Sequence, residues 1–167
     1  MRRLFVLIAA GLVAGCSSWH EDVENTMGAT VEFYGTWDAK ECECFWEELG
    51  YDSTAECASA YGCSPEDEEP ARACVANALD GPSPPDGAIE ALQCMTDTFK
   101  EGTACFEAAP CVHASFDLCV EGFFNAPDCF ADLSTEANDW IDDVLRLIED
   151  AGCMEEFEMC EFDLLLY

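Results

Sequence analysis

STEANDWIDDVLRLIEDAG, residues 134–152, reads as a helix with both of its ends marked. Ser134 offers a side-chain oxygen to the first turn, and Trp140, Ile141, Val144, Leu145, Ile148 and Ala151 recur at three- and four-residue intervals until Gly152. Acids fill the opposite face. The same periodicity continues upstream, with no convincing run of alternating β-branched residues, so the chain is expected to be all-α. Phe116, Cys119, Val120 and Phe123 form one stripe that ends near Asn125. Ile89, Leu92, Thr96 and Phe99 form another, opened by Asp86, and a shorter turn that Pro110 ends carries Cys105. Ser53 and Glu56 make a capping box, and Ser64-Pro65 followed by four acids marks a further start, with Pro70 kinking or restarting that helix. Cys42, Phe45 or Trp46, and Leu49 share a face that Gly50 stops. Cys153, Phe157 and Cys160 give a last helix its inner side. The expected architecture is a small disulfide-rich bundle of short antiparallel helices over residues 38–167, with residues 134–152 as its longest helix.

The chain has 167 residues, 36 acids against 6 Lys plus Arg, and a formal charge of −30. Such a surface repels phosphate backbones, which argues against nucleic acid as a partner. A basic protein surface or divalent cations are the partners that the charge favours. Eleven Phe and four Trp supply a core, so the acids sit on a folded domain and not on a disordered tail.

The N-terminus carries a different signal. Arg2 and Arg3 precede an apolar run of about ten residues, too short to span a bilayer, and Val13-Ala14-Gly15-Cys16 follows. That tetrapeptide resembles the lipobox of bacterial lipoproteins. The resemblance implies that residues 1–15 are a cleaved signal peptide, that Cys16 becomes an acylated mature N-terminus, and that Ser17 directs the protein to the outer membrane of the cell envelope. Multiple acyl chains make such an anchor stable. Residues 16–37 contain no other Cys and include Gly28 and Gly35. They read as a lipidated tether, with an extended piece at 30–34, holding the domain roughly 25 Å from the leaflet. The alternative is that Val31, Phe33, Tyr34 and Trp37 dock on the domain.

Of 13 Cys, assigning Cys16 to lipid leaves an even twelve: Cys42, Cys44, Cys57, Cys63, Cys74, Cys94, Cys105, Cys111, Cys119, Cys129, Cys153 and Cys160. Export and the lack of a Cys-x2-Cys pair favour disulfides over a metal site, and no metal ligand set is expected. The spacing Cys44-x12-Cys57-x5-Cys63-x10-Cys74 resembles Cys94-x10-Cys105-x5-Cys111-x7-Cys119, as two degenerate helical hairpins would produce. Joining outer to outer predicts Cys44–Cys74 and Cys94–Cys119. Cys42 and Cys44 point about 200° apart on a helix and must find different partners. Cys153 and Cys160, about 10.5 Å apart along a helix, cannot bond each other.

Candidate chemistry is sparse. His113 is the one imidazole beyond the N-terminal segment, and Asp117 follows one turn later, so a hydrolytic dyad is conceivable. The surrounding Cys111-Val112-His113-Ala114 lacks the doubled Cys and following Asp of secreted phospholipase A2, and no Gly-rich calcium loop precedes it. No catalytic residue is assigned. The segment 80–90 lacks an EF-hand start, and Glu136, Asp139 and Asp143 form a solvated face, so cation binding is expected to be weak and no cofactor is implied. The reading favoured is a non-enzymatic, membrane-anchored envelope lipoprotein presenting a stapled acidic helical module for structural or protein-interaction use. A cation-dependent binding module is the alternative, and a lipid-acting enzyme a distant third.

Overall fold

The computed structural model describes residues 18–61, 64–79, 81 and 83–153. These contain six α-helices and no strand: α1 Trp19–Phe45, α2 Thr54–Tyr61, α3 Glu68–Ala78, α4 Ala88–Ala108, α5 His113–Phe124 and α6 Thr135–Asp150, with one 3-10 turn at Pro65–Asp67. The protein is a small disulfide-rich helical protein. Cys16, Cys63 and Cys160 lie outside the described residues, as do the signal peptide and most of the last helix expected from sequence.

The largest departure from expectation is α1. Residues 19–37 are not a tether with an extended piece; they belong to a helix of 27 residues that forms the axis of the molecule. Val31 and Phe33 are fully buried, and Ala29, Thr30, Tyr34 and Gly35 are buried beside them. A helix enclosed on all sides has no polar face, so its periodic signal is weak. Its Thr residues fit because each hydroxyl finds an acceptor inside the helix: Thr30 donates to the Thr26 carbonyl at 2.8 Å, and Thr26 Oγ1 lies 2.9 Å from the Asp22 carbonyl. Ser18 caps the start through the Glu21 amide.

The other helices wrap this axis, chiefly α3 and α4. Gln93 donates to Asp22 at 3.0 Å, Thr26 meets Thr96 at 2.9 Å, and Trp37 stacks on Phe106, so α1 and α4 run parallel. This corrects the expectation of uniformly short, antiparallel helices. α4 is continuous for 21 residues through Cys105, and α6, with 16, is not the longest. Gly102 does not break α4. It is where the Phe33 ring lies against the helix backbone, and a Cβ there would fall on that ring. α5 returns antiparallel to α4, with Phe116 on Phe106 and Phe123 on Phe99. Gly87, at φ +89°, is the residue before α4, and Asp86 gives no side-chain cap. The capping box of α2 forms, with the Glu56 amide on Ser53 Oγ at 3.1 Å, and Glu56 returns to the Asp52 amide at 2.7 Å. Ser134 caps α6 as expected, and Trp140, Ile141, Val144 and Ile148 are buried, whereas Ala151 is exposed. Pro70 sits in the first turn of α3, where its missing N–H has no intrahelical acceptor to lose.

Five disulfides join the described cysteines: Cys42–Cys57, Cys44–Cys111, Cys74–Cys153, Cys94–Cys129 and Cys105–Cys119. Cys42 and Cys44 reach different partners, as their opposed directions require, and Cys153 bonds a residue other than Cys160. The pairings Cys44–Cys74 and Cys94–Cys119 are not formed. Nor does bonding repeat between the two similar Cys spacings, since the first set bonds outward and the second closes Cys105 onto Cys119. α5 starts beside the end of α1, so Cys111 is the cysteine within reach of Cys44. Cys44–Cys111, Cys74–Cys153 and Cys94–Cys129 tie elements remote in sequence, while Cys42–Cys57 and Cys105–Cys119 join consecutive helices.

Candidate functional site

His113, the imidazole singled out by sequence, stands at the far end of α1 from Trp19. Its ring stacks on Phe45 with centroids 4.1 Å apart, and its Nε2 is 2.8 Å from Glu48 Oε2. The carboxylate it meets is Glu48, not Asp117. Both partners are largely exposed, at 63% and 66% of their side chains, and a solvent-facing pair provides no water-excluded setting for catalysis. Leu49 and Val112, which flank this pair in sequence, are exposed apolar residues.

Three of the four Lys and Arg among the described residues are engaged by acids. Lys40 pairs with Glu43 at 3.0 Å, Arg72 with Glu68 at 2.8 Å, and Arg146 with Asp143. Arg72 also bonds Asn25 and lies over Gly28, where it holds α3 to α1. Glu32 lies between charges of both signs. Burial raises its pKa above the ordinary value, Glu68 and Glu107 raise it further, and Lys100 and Arg72 oppose the rise. The Tyr61 hydroxyl is pushed up to about 12, first by burial and then by Glu41, to which it donates at 3.1 Å.

The Glu32 shift has a sign that can be tested. A carboxyl held above its unfolded value contributes stability that is complete below that value and is lost as pH rises through the folded one. Near neutral pH ionised Glu32 therefore opposes folding. Glu32→Gln is expected to raise the thermal midpoint at about pH 7, and the gain should vanish near pH 4, where Glu32 is protonated anyway. Thermal melts at both pH values measure this; a lower midpoint at neutral pH contradicts it.

Two adjoining spaces lie between α1, α4, α6 and the segment before α6. The inner one, about 50 Å³, is lined by residues such as Val23, Met27, Leu92, Trp140 and Val144. The outer groove, about 590 Å³, runs past Thr98, Phe123, Cys129 and Asn138 to the exposed carboxylates Asp128 and Asp142. Met95, Phe130, Ile141 and Leu145 line both. No family model, curated protein or solved structure matches this chain. What it does must be argued from these surfaces. Among the described residues no group of three or more His, Cys, Asp and Glu is placed to hold a metal ion, and no helix is long and apolar enough to cross a membrane. Glu136, Asp139 and Asp143 are exposed on α6. Sequence reasoning missed the two spaces because their walls come from segments as far apart as Val23 and Ile148, joined only by the fold.

Proposed function

We propose that the protein is a non-enzymatic envelope lipoprotein, anchored through acylated Cys16 in the outer membrane, whose stapled acidic body engages a basic protein surface. The supporting observation is the position of α1. Its first residue, Trp19, lies three positions after Cys16, so an acyl group there holds the start of the helix within about 11 Å of the anchor. The body then stands at the membrane instead of hanging from a tether of roughly 25 Å. With a rise of about 1.5 Å per residue, the 27 residues of α1 extend about 40 Å to the end that carries Cys44–Cys111 and His113. Disulfides crossing between distant elements suit a body that keeps its shape in an oxidising compartment.

Charge supports the choice of partner. Lys40, Arg72 and Arg146 are spent on neighbouring acids, and the surplus of carboxylates makes a field that draws basic surfaces at long range and fades with salt. Metabolic labelling with a fatty acid tests the anchor. Label is expected on the wild-type chain and none on Cys16→Ala; label retained by the variant, or absent from the wild type, contradicts the reading.

A further inference from the structure

We infer that the two adjoining spaces form one binding site for a small amphiphile with an apolar tail and a cationic head. This goes beyond the anchoring and partner proposals and does not depend on either.

The inner space is apolar in its chemistry as well as its lining. Thr26 and Thr30 border it, but their hydroxyl protons are committed within reach of the Asp22 and Thr26 carbonyls at 2.9 and 2.8 Å. No buried side-chain nitrogen or oxygen among the described residues lacks a hydrogen-bond partner. Water entering there finds few groups to bond, whereas a hydrocarbon gives up nothing. At about 10–15 Å³ for each water-sized group, about 50 Å³ admits about four methylenes. A longer chain has to continue into the groove.

The groove supplies that continuation. Its volume of about 590 Å³ is in the range of small-molecule sites, and it shares Met95, Phe130, Ile141 and Leu145 with the inner space as lining. Met95 has an unbranched, adaptable side chain suited to parting around a tail. The head is selected at the rim. Asp128 and Asp142 line the groove, and no Lys or Arg is found among the described residues lining either space. A carboxylate head would meet two like charges there, an ammonium head two opposite ones.

The test uses the oxidised full chain and three probes with the same decyl tail, decyltrimethylammonium, decanol and decanoate, the two ions below their micellar concentrations and decanol below its solubility, each followed by calorimetry. Saturable binding of one ligand per chain is expected, tightest for the ammonium and weakest for decanoate, with the gap narrowing in about 0.5 M salt. Asp142→Asn, at an exposed position that does not threaten the core, should weaken the ammonium by about two- to five-fold and leave decanol unchanged. Leu145→Trp, which fills the shared wall, should weaken all three by about ten-fold or more while helical circular dichroism persists. If that variant loses its helices, the ammonium-to-decanol ratio in Asp142→Asn decides alone. Absence of saturable binding, decanoate binding as tightly as the ammonium, or an unchanged ratio in Asp142→Asn overturns the inference.

Discussion

Replacing Cys74 and Cys153 together by Ser should lower the thermal midpoint by about 10 °C, and by more at low ionic strength. The bridge closes the longest loop among the described disulfides, with a sequence separation of 79, against 14 for Cys105–Cys119. Loop entropy assigns about 4.5 kcal/mol to the first and about 3 kcal/mol to the second. Cys94–Cys129, which remains, shortens the path between the two cysteines to about 45 residues, which trims the effect to about 4 kcal/mol. In a chain of this size each kcal/mol moves the midpoint by about 2–4 °C. A formal charge of −30 adds self-repulsion to whatever the bridge no longer restrains, and salt screens it. Circular dichroism melts of the double variant, at low and high salt, measure both parts. A midpoint unchanged from wild type, or insensitive to salt, contradicts the role given to the staple.

Phe33→Ala is expected to cost about 3–5 kcal/mol, a large share of the stability of an ordinary domain. Phe33 is fully buried and central to the aromatic core. Its ring centroid lies 4.4 Å from that of Phe123, 5.0 Å from Tyr34, 5.5 Å from Phe99 and 5.8 Å from both Trp37 and Phe106. It rests on Gly102, so the two positions are coupled. Gly102→Ala alone should cost about 1–3 kcal/mol through overpacking, despite the better helix propensity of Ala. In Phe33→Leu/Gly102→Ala the smaller side chain vacates part of the contested space, so the double variant should lose less than the sum by about 0.5–3 kcal/mol. Urea denaturation of the wild type, Phe33→Leu, Gly102→Ala and the double variant gives the coupling. Additive losses contradict the packing described here.

Helices that show one face to solvent were readable from sequence, and those enclosed by others were not. α6 declares itself because Trp140, Ile141, Val144 and Ile148 alternate with acids, and Ser134 provides a cap with a hydrogen-bonding partner at the right distance. α1 hides because its middle is buried on all sides and is built from Gly and Thr, residues of low helix propensity. Gly28 and Gly102 resemble breaks in the chain, yet each serves a close approach, to Arg72 and to Phe33. Cysteine spacing misled for a related reason. It records distance along the chain, whereas Cys44 and Cys111 are brought together by where α1 ends and α5 begins. The binding spaces leave even less trace, because Met27, Met95 and Ile141 form no motif until three helices are packed. His113 was visible from the start, and the fold gives it a surface partner, Glu48, that no local spacing could indicate.

The most direct test of a body held by long-range staples is a non-reducing peptide mass map of the oxidised protein. Linked peptides joining Cys44 to Cys111 and Cys74 to Cys153 are the expected result. Peptides joining Cys44 to Cys74 and Cys94 to Cys119, or free thiols at these positions, would contradict it.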